Sequence, residues 1–221
     1  MKITLTGAML KAALTHAAKQ DVRYYLNGVL IEATARETRV VATDGHRACI
    51  IRAAAENDLG QLGVVPQIVT FIMPRDVIDA MKIAARDLRS AAITLESTDG
   101  KEWRVSGPCS SVVFKPVDGK FPDYRRIVPE KSSGEAGHYN PDYLLDAKKA
   151  LMLLTGSKQA MIRVHPNGTD AALVTGLDPN FVGVIMPYRM HDAKTKEPLY
   201  MHDVSWAKGD LPGSPDLKKA A

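Results

Sequence analysis

The chain holds only two cysteines in 221 residues, Cys49 and Cys109, far apart and each in an apolar run. That excludes a disulfide framework and thiolate metal spacing. It points to a reducing compartment, taken here as the cytoplasm. No apolar run is long enough to cross a membrane. The start, MKITLTGAMLKAALTH, is not expected to act as a signal peptide, because Thr6 and Lys11 break it and no cleavage pattern follows. Phosphate-cradling GxxxxGK[ST] and GxGxxG runs are missing, as is a nucleophile elbow. His46, His165, His191 and His202 show no ligand spacing on one element, so no metal is expected. Nor is a cofactor or a catalytic residue set, which argues against an enzyme. Asn167-Gly168-Thr169 has a glycosylation pattern that carries no meaning in a cytosolic chain.

What is present suits a water-soluble chain: 45% hydrophobic and 24% charged residues, enough for one large or two small domains. A net charge of +4 is compatible with a polyanionic partner.

Three amphipathic runs recur at equal spacing. Thr6-Gly7 precedes Ala8 to Lys19, with Leu10, Ala13, Leu14 and Ala17 on one face. Met73-Pro74 precedes Arg75 to Arg89, with Val77, Ile78, Met81, Ala84 and Leu88 inward. Asn140-Pro141 precedes Asp142 to Leu154, with Tyr143, Leu144, Ala147, Leu151 and Leu154 inward. Proline suits a first helical position and Asn140 an N-cap. The starts Gly7, Pro74 and Pro141 are 67 residues apart both times.

The repeat continues beyond the helices. Short strands are expected before them, at Lys2 to Leu5, Ile68 to Ile72 and, more weakly, Gly137 to Tyr139. After the second helix come Ile93 to Glu96, Trp103 to Ser106 and Ser111 to Lys115, turning at Asp99-Gly100 and Gly107-Pro108. After the third come Met161 to Val164, Ala171 to Thr175 and Phe181 to Met186, turning at Asn167-Gly168. The fold class is therefore α+β, with three tandem β-α-β-β-β units. No unit can bury its own apolar faces, so each must pack on a neighbour. Linkers fall at Ala55 to Pro66 and Glu130 to Gly137. His191 to Ala221 is polar and expected to be poorly ordered, with a docked piece around Leu199 to Trp206 as one option.

The first unit holds the densest set of polar groups. Strands at Leu26 to Glu32, Arg39 to Thr43 and Ala48 to Arg52 flank the turn Asp44-Gly45. This places Thr43, Gly45, His46 and Arg47 at one end of a small antiparallel sheet. Basic residues are also grouped: Lys11, His16 and Lys19 opposite the apolar face of the first helix, Arg75, Lys82, Arg86 and Arg89 on the second, Lys148 and Lys149 on the third. Asp142 and Asp146 are placed on the solvated side. If the helices line one surface, it is positive and could track phosphates without reading bases. Gln20, Arg23, Tyr24 and Tyr25 follow the first helix, where Arg and Tyr could touch a phosphate or stack on a base.

Four stretches together carry a resemblance: QDVRYYLNGVLIEA, VATDGHR, VDGKFPDYRRIVP and VIMPYRM. The chain from Met1 to Met190 resembles the bacterial sliding clamp family, the β subunit of DNA polymerase III. The resemblance implies the DNA-clamp fold, with residues 1–129 as a middle-type domain of two units and 130–190 as half of a C-terminal-type domain. It also implies a non-enzymatic processivity factor with DNA, polymerase and clamp-loader partners, no membrane, and a pocket for partner peptides. Its apolar floor would be Leu26, Ile127, Met186 and Met190, and its donors His46, Arg47, Arg126 and Arg189. Thr43, Gly45, Pro122, Val184, Pro187 and Tyr188 complete it. Ala48 and Tyr188 depart from the family's usual residues and alter the pocket's shape. The resemblance puts Gln20, Arg23, Tyr24 and Tyr25 near DNA; the helix cations Lys82, Arg86 and Lys149 join them on charge.

Family clamps carry six units per protomer and close as dimers. This chain supplies three, so four copies would provide the same twelve, with the odd unit paired against that of another copy. The second reading is a clamp-like module that binds partner peptides without encircling DNA.

Overall fold

The structure is a computed structural model that describes residues 1–60, 68–189 and 207. The first unit comprises β1 (Lys2–Thr6), α1 (Gly7–Leu14), β2 (Gly28–Ala33), β3 (Glu37–Thr43) and β4 (Arg47–Ala54). The second comprises β5 (Val69–Pro74), α2 (Arg75–Ala80), β6 (Ala92–Glu96), β7 (Trp103–Ser106) and β8 (Ser111–Phe114). The third holds α3 (Pro141–Thr155), β9 (Ile162–His165), β10 (Ala172–Gly176) and β11 (Phe181–Ile185). This is an α+β fold of antiparallel sheets, as the repeat implied.

The first two units exchange their leading strands. β1 pairs with β6 of the second unit, and β5 pairs with β2 of the first. One sheet runs β1-β6-β7-β8 and the other β5-β2-β3-β4-β11-β10-β9. The third unit thus joins through β4 and β11, in the register Ile51 to Phe181, Cys49 to Gly183 and Arg47 to Ile185. Strand alternation gives the seven-stranded sheet two apolar faces. Val40, Ala42, Cys49, Ile51, Phe181 and Ile185 belong to the main core with the helices. Leu30, Val41 and Ile72 point the other way and are covered by Tyr124, from a 3-10 turn at Tyr124–Ile127.

Caps explain where the helices begin. Thr6 Oγ1 accepts the Met9 N–H at 3.4 Å, and Asn140 Oδ1 accepts the Asp142 N–H at 2.9 Å. Gly156 ends α3 at φ 74°, a left-handed C-cap that glycine adopts without strain. Pro74 is the N-cap of α2 rather than its first residue. Gly45 sits at φ 94° in the β3–β4 turn, as the Asp-Gly pair implied.

Two helical expectations and one strand need correction. α2 stops at Ala80, not Arg89, because tertiary contacts capture the chain beyond it. The Lys82 N–H donates to Ser110 Oγ at 3.2 Å, and the Leu88 carbonyl accepts the Ala8 N–H at 2.7 Å. Lys82, Arg86 and Arg89 are therefore not helix-face residues. α1 stops at Leu14, where the Arg75 guanidinium takes over the carbonyls of Leu14, Ala17 and Ala18 at 2.8–3.0 Å. His16 is then wholly buried rather than solvated. The weak strand at Gly137 to Tyr139 is reduced to a bridge between His138 and Tyr188. The part of the first linker at 61–67, Met190 and nearly all of the tail lie outside the described residues. Among the described residues no helix is long and apolar enough to cross a membrane.

Candidate functional site

Strand register puts Thr43, Ala48 and Val184 in one row across β3, β4 and β11. Val41, Ile50 and Val182 form the next row on the same outer face. The 3-10 turn lies over this face: Tyr124 packs on Leu30, Val41 and Ile72, and its Oη donates to Glu32 Oε2 at 2.7 Å. Pro122, Arg126 and Ile127, all exposed, flank that anchor. Pro122 also borders a hollow of about 920 Å³ with Leu30, Ile72, Val117 and Phe121. At the sheet end the Met186 N–H donates to the His46 carbonyl at 2.8 Å, which sets half-exposed Met186 beside exposed Gly45 and His46. Pro187 and exposed Tyr188 follow, the latter held to His138. The outer face thus gathers apolar surface from two segments distant in sequence, with exposed donors at its rim.

Four expected members do not offer surface there, one of them Val184 of β11, which is 1% exposed. Leu26 is 1% exposed and sits in the turn before β2. Thr43 is buried, and its hydroxyl donates to the Arg47 carbonyl at 2.7 Å and accepts the Gly45 N–H at 3.0 Å. Arg47, next to outward Ala48, points to the opposite face. There it bonds Asp44 at 3.0 Å and Asp146 of α3, with its guanidinium 4.7 Å above the Tyr143 ring. Asp146 is therefore a half-buried ion-pair partner, not a solvated helix residue. Burial pushes its carboxyl up, but bonds from Lys149 and Arg47 outweigh this and hold it below the usual range.

On the helix side the cations meet in a cleft of about 610 Å³, lined by Lys11, Lys19, Gln20, Arg47, Arg75 and Lys149, with Asp21, Asp44 and Asp146 among them. It brings together Gln20 and Lys149 of the expected nucleic-acid set. Most of its charge is already engaged. Lys149 bonds Asp146 at 2.8 Å, and Lys11 Nζ donates to the Ile78 carbonyl at 2.6 Å. Arg23 is tied to Asp21 at 2.7 Å, and its guanidinium holds that carboxyl down to about 2. Tyr24 and Tyr25 make an edge contact at 5.8 Å, with Tyr24 largely exposed. Lys82 and Arg86 stand outside the cleft; Arg86 pairs with Asp87 at 3.6 Å. Arg75 was legible only as a helix cation, since its capping of α1 is a tertiary contact.

Two buried groups are inert at neutral pH. Burial raises the Cys49 thiol to about 12. Burial, helped by the Arg47 charge, lowers His16 to about 4, and its Nδ1 lies 2.8 Å from Thr15 Oγ1.

Comparison with known proteins matches residues 5–123 to the family model of the DNA polymerase III beta subunit, central domain. The chain is 32% identical over 171 residues to the beta sliding clamp of Proteus mirabilis, covering 75% of this chain and 44% of that one. It is 33% identical over 157 residues to that of Escherichia coli strain K12, covering 70% and 36%. It thus spans well under half the length of these curated relatives. Among solved structures, the DNA polymerase sliding clamp of Pseudomonas aeruginosa with ligand superposes with a TM-score of 0.65 at 21% identity, over 86% of this chain and 66% of that one. DNA polymerase III beta subunit of Thermotoga maritima gives 0.60 at 18%, over 86% and 65%.

Proposed function

Because this chain belongs to the DNA polymerase III beta subunit family, we propose that it acts as a sliding-clamp-like processivity factor. It is a cytoplasmic, non-catalytic protein that holds a polymerase on double-stranded DNA, with a clamp loader as a further partner. The observation that carries this reading is the division of labour on one sheet. Its outer face bears an apolar strip rimmed by His46 and Arg126, and its helix face bears the basic cleft. An extended peptide finds anchors and carbonyl-binding donors on the first. Phosphates meet cations on the second. Residues 1–129 are then a middle-type clamp domain and 130–190 a half domain of C-terminal type. The peptide site comprises the outer-face residues up to Tyr188.

Arg126→Ala, or deletion from Met186 onward, is expected to weaken binding of a polymerase-derived clamp-motif peptide by about 2 kcal/mol or more. Unchanged affinity in a titration would remove the outer face from the site. Replacing Lys19 and Lys149 together, both of which line the cleft, should lower the salt slope of DNA retention by about one for each phosphate that is no longer neutralised. An unaltered slope would take them off the DNA face.

The engagement of the cleft cations Lys149 and Lys11 with Asp146 and the Ile78 carbonyl favours a second reading, a peptide-binding module that recruits clamp partners without encircling DNA. Salt-sensitive loading on nicked circular DNA supports the clamp. Peptide capture with no retention on circles supports the module.

A further inference from the structure

The first two units complete each other by strand exchange, β1 on β6 and β5 on β2. Each leading strand is held on its other edge by the segment that trails its own unit. Lys2 bridges Asp58, and the Val117 N–H donates to the Ile72 carbonyl at 3.0 Å. The third unit repeats that half of the pattern: the Tyr188 N–H donates to the His138 carbonyl at 2.7 Å. The other half is missing. β9, the strand that follows α3, is the edge of its sheet, and residues 136–140 join no strand among the described residues. The linker reaches only the far turn of that hairpin, where the Gly134 N–H meets the Pro166 carbonyl at 3.1 Å.

Burial agrees with this. Ile93 and Leu95 of β6 are 0% exposed, whereas Ile162 and Val164 of β9 are only partly covered. Met161 and Leu177, where β9 begins and β10 ends, are 67% and 62% exposed. An open edge and bare apolar side chains on one unit mark an unfilled contact.

The helices identify the occupant. In the completed pair, the fifth residues after the N-caps, Lys11 and Asp79, meet: Lys11 Nζ reaches the carbonyl of Ile78, beside Asp79, at 2.6 Å. Opposite charges suit a contact between two different units. On a true two-fold axis a residue meets its own copy, and a charge there would repel itself. The fifth residue after the Asn140 cap is Leu145, 51% exposed. Exposed Asp142 and Lys148 stand three residues to either side. An antiparallel crossing at Leu145 sets each Asp142 opposite Lys148 of the other copy.

We propose that a second copy of this chain completes the third unit, with α3 crossing α3 at Leu145 and residues 136–140 of each copy adding to β9 of the other. The contact does not depend on the clamp reading.

Light scattering over a concentration series tests it. The full chain is expected at an even multiple of its 24.1 kDa mass. Leu145→Asp should halve that mass. Asp142→Lys or Lys148→Asp alone should weaken association about tenfold or more, and the double swap should restore it. Leu145→Cys in a Cys109→Ser background should oxidise to a covalent dimer. A monomer at all concentrations, or a mass indifferent to Leu145→Asp with no crosslink, would overturn the proposal. Peptide binding measured on the same variants keeps this result separate from the function of the outer face.

Discussion

His16 shows how one buried side chain couples folding to protons. The unfolded chain protonates it near the ordinary 6.5, the folded chain only near 4, because burial and the Arg47 charge disfavour the imidazolium against the weaker pull of Asp146 and Asp44. Its folded pKa is depressed, so its stabilising contribution is complete above pH 6.5 and is lost as pH falls toward 4. The full difference is on the order of 3 kcal/mol, of which about 2 kcal/mol falls between pH 7 and 5. Urea unfolding at those two pH values should show that loss in the native chain and much less of it in His16→Leu; equal losses would count against this account. The sequence misplaced His16 because the amphipathic period runs on past Leu14, and periodicity does not register the contact that ends a helix. Gly45 was legible at the same scale, since an Asp-Gly pair between strands needs positive φ, a local demand.

At the scale of elements, the joints are made by arginines. Arg75 satisfies three carbonyls at the end of α1 from the start of α2. Arg75→Ala should cost about 2 kcal/mol by leaving them without a donor, and Arg75→Lys should recover only part, because one ammonium does not reproduce the guanidinium fork. Arg47 ties the β3–β4 turn to α3 through a pair that is largely shielded from water. Arg47→Ala should cost roughly 3 kcal/mol. Arg125→Ala removes a pair in which only the guanidinium is exposed, but Glu32 keeps the Tyr124 hydroxyl as a donor, so the change should cost about 1 kcal/mol or less. Chemical denaturation of these variants checks the order; near-equal costs for Arg47 and Arg125 would contradict the burial argument. Strand positions were readable from alternation and turn chemistry, nearly to the residue. The partners of Arg47 and Arg75 were not, because both bonds span distant sequence. It was the resemblance that put Arg47 on the peptide rim; its strand parity turns it to the helix side.

For the whole molecule, the β4–β11 pairing makes the third unit part of the first unit's sheet. Ending the chain at Pro129 would strip Phe181, Val184 and Ile185 from β4 and bare its edge. Such a truncation should lower stability by several kcal/mol and increase self-association through that edge. Calorimetry and light scattering would register both; a truncated chain with unchanged midpoint would show that the third unit packs without supporting the rest. The number of units was visible in the 67-residue spacing. Which strand edges they share was not, because sequence separation alone does not choose between edges.

Leading-strand exchange also limits how such a chain changes length over evolutionary time. Losing a single strand residue turns every later side chain of that strand over, from core to solvent. Removing a whole unit leaves an edge of the same kind as before, ready for another unit with the same alternation. Lineages carrying this architecture should therefore grow and shrink in quanta of one unit, and gene lengths between those steps should be rare.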